Sequence, residues 1–145
     1  MGGMTTFYLN SHYPNLFAAS LYVESQWETS QLKPLEDQTF FYIVSGADQT
    51  ASTGQTDLMN MFTADGVDFS SATWDPDALV TTKDAAADAM IANGTRANFV
   101  TWSGNYGHKQ SFDFGYTIPA VRDWLFAQTR GEAAAVNQNA YAELG

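Results

Sequence analysis

The chain has 145 residues, a length for about one domain, and it is 45% hydrophobic and 14% aromatic, which is ample material for a core. Its 16 acidic residues against 6 basic ones leave a formal charge of -10, which argues against nucleic acid and against an anionic membrane surface as partners. Without cysteine, and with His12 and His108 as the only histidines, disulfides and thiolate metal sites are excluded and a histidine-rich metal site is not expected.

The acidity reads as solubility and names no partner. No apolar run approaches the ~20 residues that span a bilayer. No signal peptide is visible, and a chain opening on "MGGM" says nothing about its targeting, so no compartment is read.

From the start, Met4, Phe7 and Tyr8 are spaced as one helix face, and Pro14 stops the run. "FAASLYVE" (residues 17–24) reads as a short buried strand. Residues 25–37 are polar, with Trp27 isolated among them. "TFFYIVS" (residues 39–45) is an unbroken β-branched and aromatic run, the pattern of a central strand covered on both faces. Ser52 and Gln55 match a capping box, which predicts a helix over residues 53–63 with Leu58, Met61 and Phe62 inward, ended by Gly66.

"VDFSSATW" (residues 67–74) reads as a strand, and "DPDALVTTKD" as a turn and lead-in. An alanine-rich helix over residues 84–92 is stopped by Gly94. "NFVTWS" (residues 98–103) is a further strand and "GNYGHKQSFDFGY" a loop. The last helix is expected over residues 118–130, capped by Thr117, with Pro119 in its first turn and Ile118, Val121, Trp124 and Leu125 as its apolar stripe. Residues 131–145 form a polar, alanine-rich tail.

Strand and helix alternate, which predicts an α/β domain with a mostly parallel sheet and flanking helices. Function in such sheets sits in loops after the carboxyl ends of strands. The loops after Glu24, Ser45 and Ser103 qualify, and they carry Trp27, Asp48 and His108.

That order resembles the second half of an α/β-hydrolase, where nucleophile, acid and histidine follow one another along the chain. "YIVSGADQTAS" resembles the acid turn, and "GNYGHKQSFDFGYTIPAVRDWLFAQTR" the histidine loop and last helix. The chain resembles bacterial polyhydroxybutyrate-depolymerase-like and feruloyl-esterase-like hydrolases, a branch overlapping with predicted peptidases. In that branch the nucleophile elbow reads G-x-S-M-G-G and continues into "YP-L-FAA"; here "MGGM" continues into "HYPNLFAA".

The resemblance implies a partial α/β-hydrolase sheet made of the C-terminal strands, with residues 1–130 as the C-terminal part of one domain that starts just after the nucleophilic serine. It implies Asp48 as the triad acid and His108 as the general base. Met1 would be the backbone oxyanion-hole donor, and Gly2 and Gly3 the elbow glycines. It also implies no metal and no organic cofactor. Trp27 is weighed evenly as a pocket wall or as a loop-packing side chain. Asp37 precedes its strand and Asp57 lies inside a helix, so neither competes with Asp48. His12 closes a helix and reads as structural.

None of Ser45, Ser52, Ser103 and Ser111 occurs in G-x-S-x-G, so none is expected to replace the nucleophile. The expected function is a serine carboxylic-ester hydrolase, acting on a small or polymeric ester and catalytically incomplete in this chain alone. A peptidase of the same fold is the alternative, and a non-catalytic binding or assembly remnant is the alternative from another class. Residues 75–96 are expected as an excursion leading to an extra, non-central strand at residues 98–103. An open sheet edge at residues 17–24 is expected to promote self-association.

Overall fold

The computed structural model describes residues 1–130. Helix α1 (Gly2–His12) leads into β1 (Ser20–Val23), and two short 3-10 turns (Thr29–Gln31 and Lys33–Asp37) lead into β2 (Phe40–Ser45). Then follow α2 (Gln49–Ala64), β3 (Phe69–Trp74), α3 (Val80–Ile91), β4 (Ala97–Trp102), α4 (His108–Gly115) and α5 (Pro119–Ala127). The strands form one four-stranded, all-parallel sheet in the order β1-β2-β4-β3.

All six residues of β2 are buried, as its unbroken apolar run predicts, because the sheet is covered on both sides. The strand period of two sorts them. Phe40, Tyr42 and Val44 join Phe7 of α1 and Leu58 and Phe62 of α2 in one core. Phe41 and Ile43 join Ala87 and Met90 of α3 and Val121 of α5 in the other. Aromatic rings dominate the first core, with Phe40, Phe62 and Phe99 meeting edge to face at centroid distances of 5.5–6.1 Å.

Several expectations are corrected. Residues 98–103 are central: β4 is hydrogen-bonded to β2 on one side and to β3 on the other, and β3 is the edge. The reason is compositional. β4 carries a nearly continuous apolar run and is buried except at Thr101. β3 places Ser71 and Thr73 in solvent, which suits an edge with one face uncovered.

Helix α2 starts four residues before its expected start, and its cap is Asp48, whose Oδ1 accepts from Ala51 N at 3.2 Å. Ser52 and Gln55 therefore lie inside the helix. Gln55 is buried and its Nε2 donates to Tyr42 O and Val100 O at 2.8 and 3.0 Å, tying α2 to both central strands. Gly66, at φ 70°, takes the left-handed conformation that ends this unit.

The stretch expected as a loop at residues 104–116 contains helix α4. Gln110, in its first turn, reaches back so that its Oε1 accepts from Gly107 N at 2.9 Å. Thr117 does not cap α5; the Thr117 hydroxyl donates to Asp113 O at 2.9 Å, and Asp84 of α3 accepts from Ala120 N at 2.9 Å instead. Helix α5 ends at Ala127. The tail call on residues 131–145 lies outside the described residues.

Candidate active site at the carboxyl edge of the sheet

Parallel strands end together, so the residues just after β1, β2 and β4 meet at one edge. Register puts Ser45 opposite Trp102, and Glu24 N donates to Ile43 O at 2.9 Å, so Glu24, Asp48 and the β4–α4 connection converge there. Ser45 holds the junction together: its hydroxyl donates to Tyr106 O at 2.6 Å and accepts from Ala47 N at 3.1 Å. Gly115 lets α4 sit against β1, since a Cβ there would lie 2.7 Å from Val23 Cγ1.

His108 is the first residue of α4, and its Nδ1 lies 2.6 Å from Asp48 Oδ2. Nδ1–H donates to the carboxylate, which leaves Nε2 to exchange a proton with whatever occupies the space beyond. The ring is also held edge-on against Phe112 at 5.0 Å between centroids. The His108 side chain is 53% exposed and that of Asp48 14%, a half-open imidazole on a mostly covered carboxylate.

Asp48 has two roles, because one oxygen caps α2 and the other holds His108. Burial pushes its carboxyl up, but the hydrogen bonds from His108 and Ala51 N outweigh burial and hold it below the usual carboxylate range. The helix N-terminus favours its charge as well.

Glu24 is the residue that sequence reasoning passed over. It follows β1 directly, its side chain is inaccessible to solvent, and its Oε2 lies 4.0 Å from His108 Nδ1. Its Oε1 accepts from Ser45 N, while Oε2 has no well-formed hydrogen bond, the nearby Ser111 hydroxyl favouring the charged carboxylate. Burial pushes the Glu24 carboxyl up to about 7, and the charge of Asp48 acts in the same direction. The signal was a carboxylate closing the apolar strand "FAASLYVE", which was read as buried without a role for its last residue.

A cavity of about 500 Å³ lies in front of the pair, lined among others by Met1, Met4, Glu24, Gln26, Asp48 and His108. Met1 is the cap residue of α1, so the start of that helix and the imidazole share one space. Gly3 is needed where it stands, because a Cβ there would lie 2.5 Å from Ser25 Cβ; Gly2 has open space around it. Trp27 is not among the lining residues. It packs on the first core, meets Tyr8 edge to face at 6.3 Å, and its Nε1 donates to Gln31 Oε1 at 3.0 Å.

The other candidates fall elsewhere. His12 stacks on Tyr8 and its Nδ1 lies 2.9 Å from Tyr8 O. Asp37 pairs with Arg96 at 3.7 Å and Asp57 is exposed on α2. Ser111 is buried with its hydroxyl donating to Gly107 O at 3.4 Å. Donor atoms of Glu24, Asp48 and His108 lie within 4.8 Å of one another. The 2.6 Å between Nδ1 and Oδ2 is a hydrogen-bond distance, shorter than the ~3 Å between neighbouring ligands of a cation bound at ~2.1 Å. The arrangement fits a shared proton better than a metal ion.

Fold and site together define an α/β domain with a parallel sheet and a carboxylate–imidazole pair at its carboxyl edge. Comparison with protein-family models, with curated proteins and with solved structures found no match. No helix among the described residues is long and apolar enough to cross a membrane.

Proposed function

We propose that this chain carries the acid and base of a serine-type carboxylic-ester hydrolase, with Asp48 as orienter and His108 as general base and then general acid. The observation that carries the reading is the 2.6 Å Asp48–His108 contact facing a cavity that Met1 also lines. In this reading a serine hydroxyl is presented from the residue preceding Met1, and Met1 N–H serves the oxyanion. His108 Nε2 takes the hydroxyl proton as oxygen attacks the ester carbonyl, then returns it to the leaving alcohol. Asp48 keeps the Nδ1–H tautomer and stabilises the imidazolium.

Labelling tests this directly. The 145-residue chain is expected to show no turnover of p-nitrophenyl acetate that a fluorophosphonate abolishes. A chain extended by Gly-Xaa-Ser before Met1 is expected to take the label on the added serine, and to lose it with His108→Ala. A label mapping within residues 1–145, or one indifferent to His108, would overturn the assignment.

The same chain self-associates through its first strand. β1 has β2 on one side and no strand on the other among the described residues, and Met4, Tyr8 and Phe17 are exposed near it in sequence. An unpaired edge is a template for a second copy. Sedimentation equilibrium at low micromolar concentration is expected to give a mass above the 15.9 kDa monomer. A monomeric mass with a cooperative melt would count against it.

A further inference from the structure

A buried carboxylate oxygen without a well-formed hydrogen bond is costly, and Glu24 Oε2 is one, although the Ser111 hydroxyl is near enough to favour its charged form. It is not on a relaxed backbone either. Glu24, at φ 47°, is the single non-glycine residue with positive φ among the described residues. A non-glycine residue held there is strained. The side chain turns inward at the end of β1, where Oε1 meets Ser45 N and Oε2 faces the Asp48–His108 pair. Among the described residues its ion-pair partner is His108, with Nδ1 4.0 Å from Oε2.

We infer that Glu24 is a positioning residue for His108: protonated, it donates from Oε2 toward the Asp48 carboxylate, and once ionised it becomes a second anion holding the imidazolium. The orphaned oxygen is then a proton donor whose acceptor is already in place, because a protonated carboxyl donates where a carboxylate only accepts. Two carboxyls beside one imidazole titrate as a group. The titratable groups facing Glu24 are Asp48 from α2, His108 from α4 and Tyr42 from β2. Burial keeps Tyr42 protonated, and the Tyr42 hydroxyl donates to Ser25 O. Met1 lines the same cavity. Glu24 thus extends the pair into a three-membered unit whose charge changes near neutral pH, in line with burial raising its carboxyl.

The inference builds on the Asp48–His108 pair of the proposed hydrolase, and its test uses no substrate, so failure of the ester reading leaves it standing. The carboxyl carbon of Glu24 and the ring nitrogens of His108 are followed by NMR from pH 4 to 9 in the wild-type chain and in Glu24→Gln. Glutamine keeps the acceptor for Ser45 N and places an N–H where the protonated carboxyl has its O–H. Glu24 is expected to titrate near 7, and the His108 signals to report that step. In Glu24→Gln that step disappears while the amide spectrum stays folded. Asp48→Asn lowers the Glu24 midpoint by about one pH unit or more, because the like charge is gone.

A Glu24 midpoint near 4.5, or His108 curves that superimpose in the two proteins, would overturn the inference. Zinc chloride added alone gives a further check. Stoichiometric broadening of His108 that Glu24→Gln removes, with unchanged titration curves, would assign the oxygen to a cation and also overturn it.

Discussion

Asp48→Asn is expected to leave the chain folded and to reverse the His108 tautomer, whereas Asp48→Ala loses stability as well. The two effects separate because the carboxylate has two jobs. Its Oδ1 caps α2 through Ala51 N, and asparagine caps a helix about as well as aspartate. Its Oδ2 accepts from His108 Nδ1, and an asparagine NH2 there offers a donor to a donor. The imidazole then places its proton on Nε2, and the nitrogen needed as base is blocked. In a serine hydrolase this substitution costs about 10⁴ in turnover with little change in geometry. Alanine removes the cap too, at about 1 kcal/mol or somewhat more. Urea unfolding curves are expected to order wild type and Asp48→Asn close together with Asp48→Ala below, while nitrogen NMR shows the proton on Nδ1 in wild type and on Nε2 in Asp48→Asn. An Nδ1–H that persists in Asp48→Asn would show that the ring is held by something else.

The second large effect is on stability against pH. Burial raises the Glu24 carboxyl to about 7 from an ordinary 4.5. The folded chain therefore holds a proton between these values that the unfolded chain has released. Stability from this group is complete below about 4.5 and is lost as pH rises through about 7, amounting to about 3 kcal/mol when the loss is complete. Asp48 acts with the opposite sign, since its carboxyl lies below the usual range: its contribution is present above that range and lost as pH falls through the lowered value. Glu24→Gln mimics the protonated acid at every pH. Its urea midpoint is expected to match wild type near pH 4.5 and to exceed it clearly at pH 8. Parallel curves across this window would place the ionised Glu24 in a better-solvated setting than its burial indicates.

The alternation of elements was legible from residues alone. "TFFYIVS" became β2, buried throughout, because a strand covered on both faces needs no polar face. The same rule applied to "NFVTW" against "FSSATW" would have placed β4 inside and β3 at the edge. The error came from counting strands along the chain, when strand order is decided by which run needs cover on both faces. Helix ends were misread where the partner was distant or doubly employed. Ser52 and Gln55 looked like a local cap, but Gln55 was required between β2 and β4, and Asp84 from another helix caps α5.

The site divides in the same way. Positions after strands brought Trp27, Asp48 and His108 forward together, because parallel strands deliver their carboxyl ends to one edge, and the family resemblance singled out Asp48 and His108 among them. What only the tertiary structure decided is how those ends are filled. The helix opening at His108 holds the ring on Asp48, the absence of side chains at Gly3 and Gly115 lets α1 and α4 close on β1, and Trp27 packs on Tyr8 away from the cavity. Glu24 was visible as a letter but not as a buried acid, since burial, backbone strain and an unmatched oxygen arise only when β1, α2 and α4 meet around it.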